Sequence, residues 1–118
     1  MLSPLLIVST DEMRKVLVIT VEGPFIDPQH VDTLRTVLPS VPDDFGLLVD
    51  LSWVDLFSAQ SIDALCEVAR DAAATGVGLT VVCSNTDRRA ELVLAGLDHH
   101  AAVAASIEHA LPVRDCAA

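Results

Sequence analysis

Between Leu47 and Leu65, in the stretch LLVDLSWVDLFSAQSIDAL, the apolar pattern changes period within a few residues, which narrows the folds open to the chain. Leu47, Leu48 and Val49 form a continuous apolar run closed by Asp50, the pattern of a strand buried on both faces. After a short turn, Ile62, Leu65, Cys66, Ala69 and Ala73 recur at three- and four-residue spacing, the stripe of an amphipathic helix. Asp63, Glu67, Arg70 and Asp71 fall between them and are expected to face water. A strand feeding a helix through a tight loop places that loop at the strand's carboxyl end, where open α/β sheets carry their working surface. Function is therefore sought around Asp55 to Ser61.

The flanking segments repeat this alternation. Leu5 to Thr10 and Lys15 to Glu22 read as two strands joined by the polar turn Asp11 to Arg14, an antiparallel hairpin ended by Gly23-Pro24. Asp27-Pro28 is a helix start, because Asp caps free amides and Pro needs no donor at the first helical position. Val31, Leu34 and Leu38 supply its apolar stripe, Asp32 and Arg35 face out, and Pro39 and Pro42 end it. The turn Asp43-Asp44 leads into a third strand, Phe45 to Leu51, and then the central helix to about Thr75. Gly78 to Cys83 is a fourth strand. Thr86 or Asp87 caps a third helix with Ala90, Val93 and Leu94 as its buried face and Gly96 as its stop. Leu97 is expected to pack back on that face. Ala101 to Ala104 reads as a short fifth strand, and Ser106 caps a last helix, Ile107 to Leu111.

This order implies an α/β fold: a mixed, mostly parallel sheet of four to five strands, about four helices and one antiparallel edge. The 118 residues suffice for one domain, with a core from about residue 5 to 112 and a loose tail over 113–118. No apolar run reaches the ~20 residues of a membrane span, and no secretory signal is legible, so a cytoplasmic protein is expected. The net charge of −10 argues against nucleic acid, which demands clustered Lys and Arg. Cys66 and Cys83 read as small core residues and Cys116 as an exposed tail thiol; none has zinc-site spacing.

Little in the chain points to catalysis or a cofactor. No glycine-rich phosphate loop joins a strand to a helix, and neither Ser58 nor Ser61 has the flanking glycines of a nucleophile elbow. The adjacent rings of His99 and His100 do not readily converge on one ion; they, His30 and His109 read as surface or loop-packing residues. Arg88 and Arg89 open the third helix, against its dipole, either as a solvated pair or as an anion or partner contact. Trp53 and Phe57 flank the central turn, packing it onto the sheet or forming a contact patch. Ser58 precedes the central helix and can cap it; a phosphate there would meet free amides and the positive end of the dipole.

From about Lys15 to Leu111 the chain resembles STAS domains of the bacterial anti-sigma factor antagonist type. The resemblance rests on VLVITVEG, the Asp27-Pro28 helix, VDLSWVDLFSAQSIDAL, and LVLAGLDHH followed by a small strand and SIEHAL. It implies a non-enzymatic binding module without a cofactor, in which an ATP-binding, kinase-type anti-sigma factor phosphorylates a loop serine and so releases the antagonist. The partner-binding loop would be Asp55, Phe57, Ser58, Ala59, Gln60 and Ser61. Here the chain departs from the family's Asp-Ser-Ser-Gly. Ser58 stands at the Asp, Ala59 at the usual acceptor, Gln60 at the second Ser and Ser61 at the Gly. Alanine has no hydroxyl to phosphorylate. Three readings follow: a constitutive antagonist, a displaced acceptor at Ser58 or Ser61, or a divergent scaffold that binds a small ligand or joins a larger signalling complex. A weak homodimer is compatible with each. A small hydrolase or transferase is the least supported class.

Overall fold

The structure is a computed structural model that describes the backbone of residues 5–25 and 28–107, and the side chains there other than those of 5, 25, 28–30 and 55–57. Five strands form one sheet in the order β1-β2-β3-β4-β5: β1 (Leu5–Asp11), β2 (Val16–Phe25), β3 (Gly46–Phe57), β4 (Leu79–Val82) and β5 (Ala102–Ala104). The β1–β2 hairpin is antiparallel, and every later pair is parallel. Three helices, α1 (Pro28–Arg35), α2 (Ala59–Ala74) and α3 (Thr86–Leu94), make or follow the crossovers, and 3-10 turns lie at Leu38–Ser40 and Leu97–His99. The expected α/β architecture is the one observed. The expected Asp27 cap, most of the last helix and the tail with His109 and Cys116 lie outside the described residues.

The hairpin turn is built by Asp11. Its carboxylate accepts a 3.1 Å hydrogen bond from the Arg14 backbone and a 3.1 Å ion pair from the Arg14 guanidinium. Those bonds hold its carboxyl below the ordinary range, the backbone donor contributing most. Lys15 takes a left-handed φ of 56° to close the turn.

Alternation along the strands divides the sheet into two faces. Leu17, Ile19 and Val21 of β2, Leu47, Val49 and Leu51 of β3, and Leu79 and Val81 of β4 face the helices, where they meet Val31, Leu34, Leu65, Val68, Ala69, Leu92 and Leu97 in the main core. On the other face Val16, Leu48 and Val82 form a smaller buried cluster. Burying each large aliphatic side chain contributes roughly 1.5–3 kcal/mol, so the core of helices against one sheet face dominates stability.

Several expected boundaries shift. Gly23-Pro24 does not end β2, which continues to Phe25; Gly23 takes φ 97° and the ladder to β3 slips register there, so Pro24 is absorbed at an irregularity. The third strand does not stop at Leu51 but runs to Phe57. A second register shift, opposite Thr20 to Glu22, makes this possible, and Asp50, which had looked like a strand end, accepts a 3.0 Å hydrogen bond from the Ser52 backbone within it. Leu38 belongs to a separate 3-10 turn, because Pro39 cannot extend α1.

The helix faces are also corrected. In α2 the buried stripe is Ser61, Ile62, Ala64, Leu65, Val68, Ala69 and Ala72, while Ala73 is exposed and Cys66 half-buried. The run is so rich in alanine that adjacent helical faces look alike in sequence, and the bulk of Val68 settles the choice. In α3 the inward residue is Leu92; Ala90 and Val93 are exposed and Leu94 is almost fully so. The cap is Asn85, whose side chain accepts from the Arg88 backbone at 3.0 Å, one residue before the expected Thr86. Gly96 does stop the helix, with φ 95°, and turns Leu97 into the core.

Candidate functional site

Parallel β2, β3 and β4 bring their carboxyl ends, and the amino ends of α2 and α3, to one edge of the sheet. The β3–α2 connection is a single residue, Ser58, in extended conformation (φ −119°, ψ 163°). Its hydroxyl accepts from the Ser61 backbone at 3.0 Å, and the Ser61 hydroxyl accepts from the Ser58 backbone at 3.0 Å. This reciprocal capping box satisfies two amide donors at the turn and is worth about 1 kcal/mol or more. The Ser61 hydroxyl also donates to the Ser58 carbonyl at 2.9 Å, and Ser61 is completely buried.

The expected loop is thus a strand end and a first helical turn. Ala59 and Gln60 are exposed, Ser58 is half-buried, and Asp55 and Phe57 lie in the last three residues of β3 before the cap. The methyl group of Ala59 stands at the exposed start of α2, and the hydroxyl of Ser61 is turned into the protein. The two serines considered as displaced acceptors are therefore unequal: one is partly accessible and the other is enclosed.

The neighbouring connection is tied to the same edge. The Ser52 hydroxyl on β3 accepts from the Ser84 backbone at 3.0 Å, just beyond β4, and the Arg89 guanidinium donates to the Cys83 carbonyl at 2.8 Å. Arg89 is consequently a structural fastener and not half of a solvated pair; Arg88 is half-buried beside it. Trp53 lies near this edge on the face opposite the helices, 64% exposed, paired across the ladder with Glu22. The packing reading of Trp53 fails because the register shift in β3 turns its ring to the open side of the sheet. Sequence reasoning missed Asp50, Ser52 and Ser84; a polar residue on either side of Leu51 was the available signal for the irregularity.

Away from this edge, Cys66, Glu67, Arg70, Leu94, His99 and His100 line an open cleft of about 340 Å³ between α2 and the end of α3. Burial, then the nearby Asp63 charge, pushes the Cys66 thiol up, keeping it protonated and poorly nucleophilic. Burial does the same to Cys83. No group of His, Cys, Asp and Glu that could hold a metal ion exists among the described residues, and none of their helices is long and apolar enough to cross a membrane.

The sheet order, α1, α2 and α3 on one face and the strand-to-helix edge define the STAS fold. No protein-family model and no curated protein matches the sequence. Solved structures do. An anti-sigma factor antagonist from Mycobacterium paratuberculosis superposes with a TM-score of 0.74 at 23% identity, covering 96% of this chain and 95% of that one. A Moorella thermoacetica RsbS variant gives 0.73 at 18% identity, with 94% and 95% covered. The STAS domain of a Vibrio cholerae SulP transporter gives 0.68 at 24% identity, with 87% and 83% covered. At these identities the likeness establishes the fold.

Proposed function

We propose that the chain is a protein-binding module of the anti-sigma factor antagonist type, which binds an ATP-binding, kinase-type anti-sigma factor through the start of α2 and so regulates sigma-factor-dependent transcription in a bacterial cytoplasm. In this reading Asp55, Phe57, Ser58, Ala59 and Gln60 form the contact surface, with Ser61 beneath it as support, and no catalytic residue or cofactor is involved. The antagonists among the structural neighbours support the class of function.

The observation that carries the regulatory part is the chemistry of the first helical turn. Ala59 has no hydroxyl, and the hydroxyl of Ser61 is buried and engaged as both donor and acceptor. A kinase would have to unwind the start of α2 to reach it. We therefore read the module as constitutive, without the serine switch. Ser58 is the one remaining acceptor in the turn, and its modification would disrupt the cap that joins β3 to α2.

The test is capture on immobilised protein from an extract of the source cell with ATP present, followed by mass spectrometry of both partners. Retention of a small ATP-binding anti-sigma factor with no phosphate-sized mass gain on this chain is the expected result. A gain lost in Ser58→Ala would replace the constitutive reading with a displaced phosphosite. Failure to retain the kinase when it is detectable in the input would overturn the anti-sigma assignment.

A further inference from the structure

The two edges of the sheet are very different. β5 offers three residues, Ala102–Ala104, whereas β1 offers seven, Leu5–Asp11, paired to β2 in unbroken register and unpaired on the other side among the described residues. Natural edge strands are normally blunted by Lys, Pro, a bulge or a covering element. From Leu5 to Thr10 β1 contains no charge and no proline, and its ladder has no bulge. Its side chains stand out on both faces of the rim: Ile7 is 45% and Val8 53% exposed. The first charge, Asp11, is already neutralised by Arg14 at 3.1 Å.

We propose that β1 is a homotypic docking edge, through which two copies of this chain pair antiparallel and extend their sheets into one. The occupant is a second copy for two reasons. A two-fold axis across an antiparallel strand pair matches donors to acceptors by symmetry, so the strand is its own complement. The chain also carries a net charge of −10, which disfavours self-association through its acidic surface, and the run Leu5–Thr10 adds no charge to that repulsion. Pairing centred on Val8 places Val8 beside Val8, Ile7 opposite Ser9 and Leu6 opposite Thr10, turning two half-exposed aliphatics into cross-strand contacts.

A ladder of this length covers far less area than a standard stable interface, so the dimer is weak and concentration-dependent. Its geometry has a consequence for the module. The two-fold reverses strand direction between copies, so the two carboxyl edges point to opposite ends of the joined sheet, and the dimer is bivalent. This inference is independent of which partner the start of α2 binds.

Sedimentation equilibrium of the full chain under reducing conditions, from about 10 µM to about 1 mM, tests it across the range expected for a weak pair. A monomer–dimer equilibrium is expected, weakened by about tenfold or more in Val8→Lys, which sets two like charges side by side. Met13→Lys, on a residue 95% exposed in the hairpin turn, adds the same charge off the edge and leaves the constant unchanged. Hydrogen exchange is expected to show the amides of Leu5–Thr10 gaining protection with concentration. A monomer throughout, a dimer indifferent to Val8→Lys in a variant whose circular dichroism is native, or protection confined to other segments would each overturn the proposal.

Discussion

Ser58 and Ser61 cap each other: the backbone N–H of each donates to the hydroxyl of the other, both at 3.0 Å. The same pair closes the strand-to-helix junction and withdraws one of the turn's two hydroxyls into the core. Ser61→Ala removes a buried donor and acceptor and leaves the Ser58 amide without its partner, so a loss of about 1–2 kcal/mol is expected in urea unfolding. Ser58→Asp, which retains a capping oxygen, is expected to stay within about 0.5 kcal/mol of the parent. Ser61→Glu buries an uncompensated charge and is expected not to fold.

The single tryptophan of the chain gives a direct readout of the exposed face. Trp53 is 64% exposed, so its fluorescence in the isolated protein is expected to be red-shifted and readily quenched by iodide or acrylamide. Trp53→Ala is expected to change stability by no more than about 0.5 kcal/mol, as at other surface positions. A blue-shifted, quencher-resistant emission would mean that the ring is covered in solution.

The orientation of α3 is testable by a pair of identical changes two residues apart. Leu92 is fully buried and Leu94 is 87% exposed. Leu92→Ala is expected to lose about 2–5 kcal/mol, and Leu94→Ala about 0.5 kcal/mol or less, by thermal or denaturant unfolding. A reversal would restore the face expected from sequence.

Cys83 connects burial to pH. Its thiol is pushed up chiefly by burial, against the smaller lowering effects of the Asn85 backbone and the two arginines. The unfolded chain therefore loses its thiol proton first as pH rises, near the ordinary cysteine value of about 8.5. The stability contributed by the neutral buried thiol is present below that value and declines as pH rises from there towards the folded value. Unfolding titrations at pH 7 and pH 10 are expected to show part of this decline, absent in Cys83→Ala. In native protein at neutral pH, Cys83 is expected to resist alkylation until the chain unfolds.

Arg35 joins α1 to α2. It lies 3.5 Å from Asp32 on its own helix, 3.9 Å from Glu67 and, through Nε, 3.1 Å from Asp71, the last contact lying outside hydrogen-bond alignment. All four side chains are substantially exposed, so Arg35→Met is expected to cost about 1 kcal/mol or less and the loss to shrink in high salt. An undiminished effect at 1 M salt would indicate that the packing of its stem, and not its charge, matters.

Periodicity was enough to place all five strands and the three described helices in order, because strand and helix periods differ strongly and the strands here are continuous apolar runs. The hairpin, the parallel sheet and the position of the capped turn at Ser58 follow from that order together with Gly, Pro and capping residues. What sequence could not decide was where equivalent-looking residues point. In α2 alanine fills adjacent faces alike, and in α3 Leu92 and Leu94 are equally apolar although only Leu92 is buried.

The same limit held at the site. That Ala59 cannot accept a phosphate is a matter of composition and was readable at once. That Ser61 is enclosed while Ser58 is partly open depends on which side of a helix meets the sheet. That Trp53 faces solvent depends on a register shift stabilised by Asp50 and Ser52. Local sequence fixes period and punctuation because these act between near neighbours; facing is decided by contacts between residues distant in the chain, and only the packed tertiary structure supplies those.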